Sequence, residues 1–92
     1  MTPAEILRAA RALIDEPERW RGPDVKHCPC TAINSTSLAT VDGAAARRFM
    51  CKAVGVSAKA RWLLWHWNDA PERTHAEVMA AFDRAIEMAE GK

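Results

Sequence analysis

The chain has 92 residues with 13 Lys or Arg and 12 Asp or Glu, a formal net charge of +1. Its 49% apolar and 27% charged residues have the balance of one soluble globular domain over residues 1–92, not of a disordered, collagenous or coiled-coil chain. A net charge so near zero excludes a polyanion mimic and a general nucleic-acid binder, and the longest uncharged apolar run, Trp62-Leu63-Leu64-Trp65, is far short of a membrane span.

Met1-Thr2-Pro3-Ala4-Glu5 lacks the basic-then-apolar layout of a signal peptide, so a cytoplasmic location is expected. It reads instead as a helix start. Thr2 is placed to cap free N–H groups, Pro3 suits the first helical position, and Glu5 stands where a capping-box partner belongs. Ile6, Leu7, Ala10, Leu13 and Ile14 then recur at helical spacing, and Pro17 is expected to end the helix near Asp15 or Glu16. Residues 17–31 read as loop, rich in Pro and Gly, with Trp20 as the anchor that folds back onto the core. Between Thr31 and Val41, Ser and Thr dominate, and a short helix around 30–38 is the expectation.

Asp42 is a natural N-cap for a helix from Gly43 or Ala44 to Val54, with Ala45, Phe49, Met50, Ala53 and Val54 as its apolar stripe. Gly55 stands where a left-handed C-terminal cap belongs. Ser57 is placed to cap a following helix from Ala58 to about Trp67, apolar nearly all round, which suits the centre of a core or an interface. Asn68-Asp69-Ala70-Pro71 reads as a helix stop and turn, with Asp69 free to pair with Arg73 or Arg61 or to bond the backbone ahead of Thr74. Thr74-His75-Ala76-Glu77 is a second capping box, followed by Val78, Met79, Ala81, Phe82, Ala85, Ile86 and Ala89 at helical spacing, and Gly91 closes the helix. The sum is an all-α, compact single-domain bundle of four to five short helices. Its first and last helices should pack together around the 58–67 segment.

The run Trp67-Asn68-Asp69-Ala70-Pro71-Glu72-Arg73-Thr74-His75-Ala76-Glu77-Val78 resembles a small helical domain family of unknown function found in bacterial and phage genomes. That family's pattern is Trp-Asn-Asp, a Pro, then Thr-x-x-Glu-Val opening the final helix. Trp20 and Gly22, the Cys28 or Cys30 segment leading to Ala32-Ile33, and the Ala-rich helix from Ala44 to Val54 extend the likeness over nearly the whole chain. The chain departs at Thr31, where the family usually has Gly before the Ala. The resemblance implies a fold and a phage or mobile-element origin. It brings no catalytic residue, cofactor or activity with it.

Charge is unevenly spread. Residues 43–68 hold Arg47, Arg48, Lys52, Lys59 and Arg61 with no acid, a local +5, whereas residues 69–92 are acidic in balance. This pattern supports three readings. The first is a small non-enzymatic protein docking on a host protein or complex through Arg47, Arg48, Lys59, Arg61 and Trp62, the residue types that anchor protein contacts, with a homodimer also open. Inhibition of a host defence or nucleic-acid machine fits that profile.

The second is a helix-turn-helix-like DNA-binding module over 47–61, in which Cys51, Val54, Gly55 and Val56 meet the demands of the turn. Arg61 stands where an apolar residue should pack, however, and Trp62 through Trp65 put apolar bulk on the recognition helix. The third is a metal- or Cys-dependent enzyme drawing on His27, Cys28, Cys30, Cys51, His66 or His75. None of these residues has a standard zinc spacing, no local signature supports a nucleophile, and no cofactor is expected. Three Cys in a chain without a secretion signal read as reduced thiols.

Overall fold

Two Thr-x-x-Glu boxes fix where the first and last helices begin. In a computed structural model, residues 2–21, 41–57, 59 and 62–91 are described, without the side chains of Arg19, Arg21, Trp62 and Trp65. Every regular element among them is helical: α1 Pro3–Leu13, α2 Pro17–Arg21, α3 Val41–Val54, α4 Trp62–Asp69 and α5 His75–Ala89. The all-α architecture is therefore as the periodicity predicts. The helix expected around 30–38 lies outside the described residues, as do His27, Cys28 and Cys30.

At α1, the Glu5 N–H donates to Thr2 Oγ1 (3.2 Å) and Glu5 Oε1 accepts from the Thr2 N–H (2.9 Å). At α5, Glu77 N–H donates to Thr74 Oγ1 (3.1 Å) and Glu77 Oε1 accepts from the Thr74 N–H (3.0 Å). Each box answers N–H groups that a helix start otherwise leaves to water. Those bonds also set the charge state. The Thr2 N–H, then its hydroxyl, hold the Glu5 carboxyl below its ordinary 4.5, and the Thr74 N–H and hydroxyl do the same for Glu77.

The C-terminal end of α3 is set by Gly55, at φ +80°. Its N–H donates to the Lys52 carbonyl and the Val56 N–H to the Cys51 carbonyl, the paired bonds of a Schellman cap. A Cβ at Gly55 would meet nothing within 4 Å, so glycine is needed for its backbone angle and not for space.

The core sits between α1, α3 and α5. Ile6, Leu7, Ala10 and Ile14 of α1 and its cap meet Ala46, Met50 and Cys51 of α3 and Val78, Phe82 and Ala85 of α5. The main pairings are α3 on α5, α1 on α5 and α1 on α3, with α4 set against α3. So the first and last helices pack as expected, but the element shared between them is α3 and not the 58–67 segment. Of the described α4 side chains only Leu64 and Asn68 are buried. Among the described residues no helix is long and apolar enough to cross a membrane.

Five local expectations are corrected. The helix expected from Ala58 to about Trp67 is described as α4 at Trp62–Asp69, so Asn68 and Asp69 form its last turn instead of following it. Residues 17–21 are helical, because Pro17 occupies the first turn of α2, where its missing N–H costs nothing, instead of merely stopping α1. Accordingly α1 ends at Leu13, and Leu13 is 40% exposed because it falls at the edge of a stripe centred on Ala10 and Ile14. Asp42 lies inside the first turn of α3, which begins at Val41. The buried stripe of α3 is Gly43, Ala46, Met50, Cys51 and Ala53, with Phe49 and Val54 only partly covered. Small residues face inward there because two helices, α1 and α5, both press on α3.

Candidate functional site

The turn between α4 and α5 binds distant parts of the chain together. Trp20 of α2 is buried, and its indole Nε1–H donates to Asn68 Oδ1 at 2.6 Å, 48 residues away. Asn68, also buried, donates from Nδ2 to Asp69 Oδ1 at 3.2 Å. The His75 ring, tilted 47° to Trp20 with centroids 5.8 Å apart, donates from Nε2 to the Ile14 carbonyl at 2.8 Å, beyond the end of α1.

The Arg73 guanidinium lies over Trp67 at 4.2 Å. Its Nε donates to the Trp67 carbonyl (3.0 Å) and its Nη1 to Glu77 Oε2 (2.8 Å). The segment Trp67 to Val78 is thus a structural lock. Of the expected partners of Asp69, Arg73 and the Thr74 N–H are taken by Glu77, so Asp69 Oδ1 accepts from Asn68 instead, and Arg61 lies outside the described residues. Trp20 is the buried anchor the sequence predicts. The sequence does not reveal its partner, whose only signal is a lone amide at a helix end.

The five residues singled out for partner binding are only partly brought together. Arg48 and Lys52 stand one turn apart on the outer face of α3, both exposed, and Lys59 is exposed beyond the Gly55 cap, its N–H on Ser57 Oγ at 3.2 Å. Arg47 turns aside onto the half-buried flank next to Cys51. Arg61 and the Trp62 side chain lie outside the described residues.

Four other described cations are answered within the chain. Arg8 pairs with Glu90 (2.6 Å), Arg11 with Asp83 (2.9 Å) and Arg73 with Glu77 (2.8 Å). Arg84 donates to the Ala53 carbonyl at 2.8 Å. Among the described residues no carboxylate pairs with Arg48, Lys52 or Lys59.

Cys51 is a core residue. Burial pushes its thiol up, and the opposing pull of the Arg47 charge is the smaller effect, so the nucleophilic thiolate is suppressed. Among the described residues no group of three or more His, Cys, Asp or Glu is arranged to hold a metal ion. Gly55 has the positive φ that the helix-turn-helix reading asks of its turn, and Cys51, four residues before it, is buried.

No curated protein and no solved structure matches the chain. A family model covers residues 1–88, and the chain belongs to the Family of unknown function (DUF6197).

Proposed function

We propose that the chain is a small non-enzymatic interaction protein of phage or mobile-element type. It acts in the cytoplasm by docking on a host protein or complex through the outer face of α3 and the segment that follows. The single observation behind this reading is the contrast among its cations. Arg8, Arg11 and Arg73 are ion-paired within the chain, while Arg48, Lys52 and Lys59 are exposed with no carboxylate among the described residues. Cations left so at the rim of a contact steer association and choose the partner's charge. Arg47 stands on the adjoining flank, and the sequence adds Arg61 and Trp62, which lie outside the described residues and side chains, to the expected partner-binding set.

The test compares the wild-type chain with an Arg48→Ala/Lys52→Ala variant in binding to duplex DNA and in crosslinking to proteins of a bacterial host. A crosslinked partner lost in the variant, with no DNA binding at low salt, supports protein docking. DNA binding that falls steeply with salt, in proportion to the phosphates contacted, would move the face to the helix-turn-helix reading. A partner retained equally by the variant would remove the α3 face from the interaction.

A further inference from the structure

A hollow of about 250 Å³ opens where the C-terminal ends of α3 and α4 meet the middle of α5. Its apolar lining comes from Val54, Trp67 and three alanines, and its rim from Arg73, Glu77 and Arg84. The rim charges are not equivalent. Glu77 is answered by Arg73 and by the N–H and hydroxyl of Thr74. Arg84 is held by one bond from Nη1 to the Ala53 carbonyl, and among the described residues no carboxylate pairs with it. A guanidinium has five N–H donors in a planar fork, so that bond fixes Arg84 and leaves most of the fork for a ligand.

The hollow is open to solvent on one side and has room for a short branched hydrocarbon and one planar acid group. A phosphate satisfies the guanidinium but leaves the apolar lining wet, and a plain hydrocarbon leaves the charge unanswered. We infer that this hollow is a binding site for a small apolar carboxylate, its stem against Val54, Trp67 and Ala80 and its carboxylate on the Arg84 fork. The site is separate from the α3 face, since neither Arg48 nor Lys52 lines it. The carboxylate is either a free acid or the C-terminal residue of a polypeptide.

The test is a titration of the full-length ¹⁵N-labelled chain with N-acetyl-leucine, N-acetyl-leucinamide, butyrate and inorganic phosphate. The signals followed are the amides of Val54, Ala80 and Ala81 and the Trp67 indole N–H. N-acetyl-leucine is expected to shift these signals and its amide to leave them in place. Loss of a charge-assisted bond through Arg84→Gln should weaken binding about tenfold or more. Ala80→Leu, at an exposed helical site, should fill the hollow and abolish binding while the fold is kept.

Butyrate binding as tightly as N-acetyl-leucine supports the site and assigns it to free acids. Much tighter N-acetyl-leucine supports it and assigns it to chain termini. The proposal is overturned if neither carboxylate moves these signals, if the amide or phosphate moves them equally, or if Ala80→Leu binds like the wild type.

Discussion

The lock around residues 67–78 and the outer face of α3 are opposites in how their polar groups are used. In the lock, donors meet acceptors inside the chain: Trp20 with Asn68, His75 with the Ile14 carbonyl, Arg73 with Glu77 and the Trp67 carbonyl, Thr74 with Glu77. On α3, Arg48 and Lys52 stand in solvent without a described counterion. The segment 67–78, which carries the resemblance, thus commits its described polar groups to internal bonds. Charge left over after internal pairing is the better pointer to an interaction surface.

That contrast is breakable by mutation, most sharply at the lock. Trp20→Ala should destabilise the fold by about 3–5 kcal/mol in urea unfolding, as loss of a large buried aromatic does. Asn68→Ala should cost about 1–3 kcal/mol, because the buried Trp20 Nε1–H is left without an acceptor. Trp20→Phe should cost a similar amount from the other side, and the double variant should show the two are coupled. If Asn68→Ala proves neutral, the indole finds another acceptor and the lock is not what orders α2.

A smaller loss, about 1 kcal/mol, is expected for Thr74→Ala, where only one cap is removed. Acid should act at the same place. Glu5 and Glu77 have folded pKa values below the ordinary 4.5, so they stabilise the fold above that pH, and the contribution disappears as pH falls through the depressed folded values. Chemical-shift titration should find both carboxyls titrating below ordinary Glu, and Thr74→Ala should return Glu77 toward the ordinary value while leaving Glu5 alone. The smallest stability effect belongs to α3. Arg48→Ala and Lys52→Ala should change unfolding free energy by no more than about 0.5 kcal/mol while weakening partner binding. A large stability loss there would mean that the face is structural after all.

The parts of the molecule legible in the sequence are those decided within a turn of helix. The two Thr-x-x-Glu boxes, the Gly55 and Gly91 ends and the α5 stripe all rest on contacts between near neighbours in sequence. The phase of α3 is not legible that way, since its inward face is chosen by α1 and α5 together and runs through Gly43 and Ala46, which look neutral in a hydrophobicity pattern. Pro17 was ambiguous by nature, since proline both ends and begins helices, and the break of α1 at Leu13 decides which. The Trp20–Asn68 bond spans 48 residues and leaves no periodic trace. The basic segment is visible as composition. That Arg47 turns toward the flank while Arg48 and Lys52 face outward depends on the corrected phase of α3.

The attachment of α2 has a consequence for how the protein breathes. Trp20 is the only buried residue among the described side chains of this five-residue helix, and among the described residues α2 makes none of the principal helix pairings. A helix that short has almost no stability of its own. Release of the Trp20 indole from its partners, Asn68 and His75 among them, should then loosen α2 while α1, α3 and α5 stay packed. In hydrogen exchange, α2 amides should open at a free energy well below that of the α5 amides around Phe82, and Asn68→Ala should lower the first without much change in the second.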